Sequence, residues 1–108
     1  MSDTAPETPV QDLLATMTAA SMEASGLDAQ SLMLVRIAAL VAVDAPPASY
    51  LLNLGVADAV GVDGETVRDV FAAVAPIVGT ARVASALGNV VRALGFAELA
   101  AEQIGDDV

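Results

Sequence analysis

The longest apolar run in the chain lies between Leu32 and Val43, where Arg36 is the single polar side chain. A helix that is apolar all round is expected to be buried all round, so the rest of the chain should pack around this segment. Asp28 reads as its N-cap. Asp44 and Pro46-Pro47 end it, because proline removes a donor and restricts its predecessor. Pro47 then suits the first position of a following helix carrying Tyr50, Leu51, Leu54 and Ala57 and stopped by Gly61.

Upstream, a helix starting at Thr8-Pro9 places Leu13, Leu14, Met17, Ala20, Ser21 and Ala24 on one face, with Gly26 as its cap. Downstream, Asp63 caps a helix that carries Glu65 in its first turn, favourable for the helix dipole, and Val67, Val70, Phe71 and Val74 on one face. Pro76 is expected to disturb or end it. Gly79-Thr80 makes the next corner, and the last helix presents Val83, Leu87, Val90, Val91 and Leu94. Gly88 suggests a close approach by another helix. Gly95 is expected to kink or interrupt the chain before a final segment, Phe96 to Ile104. No stretch alternates with period two. The pattern predicts an all-α bundle of five to six helices in one domain, 9–104, between a polar tail, 1–8, and an acidic tail, 105–108.

Composition sharpens this picture. Of 108 residues, 56% are hydrophobic, above the usual ~45–50%. A small domain has little interior, so the surplus asks for subunit association. Fourteen acids against four arginines give a net charge of −10, which argues against nucleic-acid phosphates and anionic membrane surfaces as partners. The apolar run is shorter than the ~20 residues of a membrane span, and Met1 to Thr8 lacks the cationic start and apolar core of a signal peptide. A cytoplasmic location is expected. The chain has neither cysteine nor histidine. It therefore lacks a thiol nucleophile, thiolate metal ligands and an imidazole base.

Three segments stand in a distinctive order: Leu34-Val35-Arg36-Ile37-Ala38, then Ala57 to Val67, then Ala75-Pro76-Ile77-Val78-Gly79-Thr80-Ala81-Arg82. Together they resemble the carboxymuconolactone decarboxylase and AhpD-like alkylhydroperoxidase family over roughly residues 27–96. The resemblance implies an AhpD-like helical bundle and assembly as a homo-oligomer, often a trimer or hexamer. The peroxidase branch carries Cys-x-x-Cys followed by histidine; the matching places here hold Pro46, Ser49 and Asn53, and a family glutamate falls at Met33 or Leu34. The decarboxylase branch keeps a histidine where Asn53 stands. Dithiol peroxidase chemistry is thereby excluded, as is decarboxylation through histidine in its usual form. No cofactor and no metal site is expected.

Five residues remain as candidates. Asn53 can orient a ligand through its amide; the plainer reading is a satisfied polar residue between the third and fifth helices. Arg36 can anchor a substrate carboxylate; the plainer reading is a pair with Asp58, Asp69 or an acid of another subunit. Tyr50 can serve as a weak proton donor beside Ser49, or pack its ring and leave the hydroxyl wet. Arg82 matches a family arginine that could close a pocket, or makes a surface or interface ion pair. Asp63 and Glu65 read as a cap and a dipole partner rather than a cation site, and Met17, Met22 and Met33 as core filler. The expected function is small-molecule binding or assembly without redox activity. The alternative is a cofactor-free lyase or isomerase of altered chemistry acting on a carboxylated or aromatic small molecule, with Arg36 binding and Tyr50 or Asn53 polarising.

Overall fold

The computed structural model describes residues 8–106, and side chains as far as residue 95. Five helices follow one another: α1 (Pro9–Ala24), α2 (Ala29–Ala42), α3 (Pro47–Ala59), α4 (Gly64–Val78) and α5 (Thr80–Asp106). No strand occurs among the described residues, so the chain is all-α. The tails expected at 1–8 and 105–108 fall almost wholly outside the described side chains. No helix among the described residues is long and apolar enough to cross a membrane.

The boundaries follow local chemistry. The Asp28 side chain accepts from the Ser31 backbone N–H at 2.8 Å, and Asp63 does the same for Thr66 at 2.8 Å. Each satisfies one of the free donors at a helix start. Pro47 occupies the first turn of α3. Gly61, at φ +90°, turns the chain out of α3 in a conformation that glycine adopts without strain. Asp44, at φ +54°, takes the left-handed position after α2. Asp tolerates that region better than most residues, and its carboxylate is held there by the Ser85 hydroxyl at 2.6 Å.

Four expectations about glycine and proline positions are corrected. Gly95 does not interrupt the last helix, and α5 runs unbroken through it. Pro76 neither ends nor visibly interrupts α4, which continues to Val78; lying in the last turn, it sacrifices one hydrogen bond. Gly88 meets no neighbouring helix: a Cβ built there would contact only Arg92 of its own helix, at 3.6 Å. Gly26, too, follows α1 without a left-handed conformation.

The core is built on α2, which packs against α3, α4 and α5. Met33, Ile37 and Val41 repeat every fourth residue and are completely or almost completely buried. They meet Tyr50 and Ala57 of α3, Val67 and Phe71 of α4, and Ala86 and Ala93 of α5. The helix is not enclosed on every side, however: Val35 is 55% exposed and Ala39 and Ala42 are open. On α5, too, the buried face is not the expected one. Ala86, Asn89 and Ala93 face inward, while Leu87, Val91 and Leu94 remain about half exposed or more. Small side chains let α5 approach closely and turn its larger ones outward.

The two aspartate caps give the fold a defined acid sensitivity. Backbone N–H groups and hydroxyls of Ser31 and Thr66 hold Asp28 and Asp63 below the ordinary carboxylate value of 3.8. A depressed folded-state value contributes stability at neutral pH that is lost as pH falls through 3.8 and below. Asparagine caps as well but does not titrate. The double variant Asp28→Asn/Asp63→Asn should therefore lose less stability than the wild type on acidification, in urea unfolding followed by circular dichroism. Parallel losses would show that the caps are not linked to pH.

Candidate functional site

The expected site residues separate into two places. Arg36 and Asn53 come together, on one wall of a groove of about 450 Å3 between α1 and the α2–α3 pair. The rest of the lining is mostly aliphatic: Leu14, Ala15, Ala19 and Met22 of α1, Met33 of α2, and Leu52 and Val56 of α3. Gln11 and Thr18 add polar groups from the α1 side.

Arg36 is half-buried, and its partners are not those expected. Its Nη2 donates to the Ser21 hydroxyl at 3.1 Å and to the Thr18 carbonyl at 3.4 Å, both on α1. No carboxylate pairs with it among the described residues; the ion pair found there is Arg68 with Glu65, at 3.7 Å on the surface. Both bonds use one nitrogen, so Nη1 and Nε have no hydrogen-bond acceptor among the described residues. Among the described residues this guanidinium, beside apolar side chains in a chain with fourteen acids, has neutral acceptors alone.

Asn53 does not sit as a satisfied residue between α3 and α5. Its Nδ2 donates to the Ser49 carbonyl one turn back, at 2.9 Å, and it faces the α1 groove. The bond fixes the amide on the helix surface and leaves Oδ1 available as an acceptor. Ser49 enters through that carbonyl alone.

Tyr50 and Arg82 lie elsewhere. Tyr50 lines no groove described here. It is fully buried, and its hydroxyl is not wet: it has no hydrogen-bond partner among the described residues. Burial, and then the Asp44 carboxylate, push its phenol above the ordinary value of 10.0, so it stays protonated at neutral pH. Arg82 makes no ion pair among the described residues; its Nη1 donates to the Ala42 carbonyl at 2.6 Å, closing the C-terminal end of α2.

Arg82 belongs to a polar seam that sequence reasoning missed. Along α5, Arg82, Ser85 and Asn89 each hold the α2–α3 corner: Arg82 at Ala42, Ser85 at Asp44, and Asn89 through Nδ2 on the Ala45 carbonyl at 3.0 Å. Arg92 braces Asn89 from behind, donating to its Oδ1 at 3.0 Å. The spacing of these polar residues inside an apolar helix was the available signal.

A second groove of about 440 Å3 opens between α3, the start of α4 and α5, with Asp58 and Asp63 on its rim. Its lining holds no cation and none of the expected site residues. Two carboxylates make it hostile to an anion, so the Arg36 groove is the one suited to a negatively charged ligand.

Fold and groove together define an all-α helical protein with an apolar, arginine-marked groove. No protein-family model, no curated protein and no solved structure matches this chain.

Proposed function

We propose that the chain is a carboxymuconolactone decarboxylase-like protein, without the family's usual catalytic residues, that binds a small carboxylate with an apolar body. The observation that carries this reading is the convergence of Arg36, uncompensated by any described acid, and Asn53 in one aliphatic groove. Arg36 takes the carboxylate through its unused nitrogens, Asn53 orients a second polar atom, and the aliphatic walls take the body. The groove's volume falls in the ~300–1,000 Å3 range of small-molecule sites. Binding is favoured over catalysis because Tyr50, the one proton donor proposed for a lyase or isomerase, lies outside the groove. Self-association belongs to the same reading. Among the described residues, fifteen large hydrophobic side chains are exposed, more than solubility as a lone subunit favours.

The test uses octanoate and its uncharged counterpart octanamide. Calorimetry should find octanoate bound and octanamide much weaker. Arg36→Gln should weaken octanoate at least about tenfold, since charge-assisted hydrogen bonds contribute ~1.5–3 kcal/mol and 1.4 kcal/mol is tenfold. Equal binding of acid and amide, or an unchanged variant, would overturn the assignment.

A further inference from the structure

The α1 helix stands apart from the bundle. The closely packed helix pairs are α2 with α3, α4 and α5, and α5 with α3 and α4; α1 belongs to none of them. Every residue of α1 from Pro9 to Ala24 is exposed. Leu14 and Met22 line the Arg36 groove and are nevertheless 54% and 47% exposed. The helix therefore stands off from the α2–α3 pair, and the groove is the gap between them. A helix held so loosely draws little of its stability from tertiary packing.

Its ties to the bundle are few and come from one side chain. Among the described residues, the hydrogen bonds that cross from the bundle to α1 both start at Arg36 Nη2, at 3.1 Å to the Ser21 hydroxyl and 3.4 Å to the Thr18 carbonyl. The second is long, and both acceptors are neutral, so the latch is weak. The connection to α2 is short and open. Ser25 is the extended C-cap of α1, Asp28 is the N-cap of α2, and a Cβ placed on Gly26 between them would meet nothing within 4 Å. A few terminal residues of this kind can absorb the dihedral change of a hinge.

We infer that α1 is a lid over the groove, hinged at Ser25-Gly26-Leu27 and latched by Arg36. The same guanidinium holds the lid through Nη2 and has Nη1 and Nε for a carboxylate. A carboxylate on those nitrogens fixes the guanidinium and, through it, α1. The ligand's apolar body fills the gap below Leu14 and Met22 and takes their surface out of water. Closure and binding then favour each other by the same factor. The closing step rests on the proposed carboxylate site; the hinge and the latch do not.

The chain contains no cysteine, so spin labels go only where cysteines are placed. Ala20 on α1 and Ala72 on α4 are exposed and line neither groove. Ala20→Cys/Ala72→Cys reports the lid, and Ala29→Cys/Ala72→Cys is a control pair between α2 and α4. Labelled chain is diluted with unlabelled chain so that distances within one subunit dominate. Double electron–electron resonance without ligand should find a broader distance distribution for the lid pair than for the control pair. Arg36→Met should broaden the lid distribution further, with the control pair and helical circular dichroism unchanged. Saturating octanoate should narrow the wild-type lid distribution by about half and leave that of Arg36→Met broad. A lid pair as narrow as the control without ligand, whether its own subunit or another copy holds α1, would overturn the lid. A distribution that Arg36→Met leaves unchanged would overturn the latch. Octanoate that binds by calorimetry without narrowing the lid pair would overturn closure while the carboxylate site stands. Octanoate that does not bind would overturn the proposed function and the closing step with it, and the comparison without ligand would still decide the latch.

Discussion

Tyr50→Phe should be more stable than the wild type, and Tyr50→Ala should come close to unfolding. The two opposite signs at one position follow from what the side chain does in the core. Its ring is fully buried among residues of α2, α4 and α5, and truncating a buried aromatic to alanine typically costs ~3–5 kcal/mol in lost transfer energy and cavity formation. That is a large part of the ~5–15 kcal/mol that holds a whole domain. The hydroxyl acts the other way. It is buried with no partner among the described residues, and leaving a polar group unpaired costs ~1–3 kcal/mol. Phenylalanine keeps the ring and drops the liability, so a gain of about 1 kcal/mol is expected, or ~4–8 °C in thermal midpoint. Alkaline pH supplies a second readout. The phenol is raised above 10.0 in the folded chain, so its contribution is intact below 10.0 and is lost as pH rises toward the folded value. Tyr50→Phe should lack that alkaline loss. A phenylalanine variant less stable than the wild type would mean that the hydroxyl has a partner.

Asn89→Ala should cost ~2–3 kcal/mol, far more than an exposed asparagine on a helix would. Asn89 is 9% exposed and the one buried polar residue among those described. It bridges α5 to the corner between α2 and α3 by way of the Ala45 carbonyl, and its Oδ1 takes a hydrogen bond from Arg92. Truncation leaves the carbonyl of a buried residue and an arginine donor without that partner. The penalty of such orphaned groups, not the modest net value of a hydrogen bond, sets the size of the loss. Asn89→Leu should not rescue it, since leucine fills the volume but leaves the Ala45 carbonyl unpaired. Chemical denaturation with the same m-value for both variants would confirm a folded-state effect. A loss below ~0.5 kcal/mol, the range of ordinary surface substitutions, would show that the seam does not hold the corner.

Helix ends were the most legible part of the sequence. Asp28 and Asp63 as caps, Pro47 in the first turn of α3 and the stop at Gly61 are all dictated by groups within a few residues. Apart from the Gly26 cap, the errors concern helix interiors and faces, where tertiary contacts decide. Gly95 and Pro76 have local costs that the helices absorb. The buried face of α5 was misread because large aliphatic residues were expected inside, whereas close packing selected Ala86 and Ala93 and carried Asn89 in with them. Of the site, the meeting of Arg36 with Asn53 follows from the α2–α3 corner. The partners of Arg36 did not, because they lie on α1, whose placement no local signal specifies. The fate of the Tyr50 hydroxyl was equally hidden, since it depends on which groups the other helices bring near it.

The central claim is that a carboxylate occupies the groove between α1 and the α2–α3 pair, held by Arg36 and Asn53. Nuclear magnetic resonance of the isotope-labelled full chain, titrated with octanoate, tests it most directly because it reports which residues respond. The account predicts saturable shifts at the Arg36 side chain, the Asn53 amide and Thr18 of α1, with Asp58 and Val90 of the second groove unmoved. Shifts confined to the second groove, or none that saturate at Arg36 and Asn53, would contradict it.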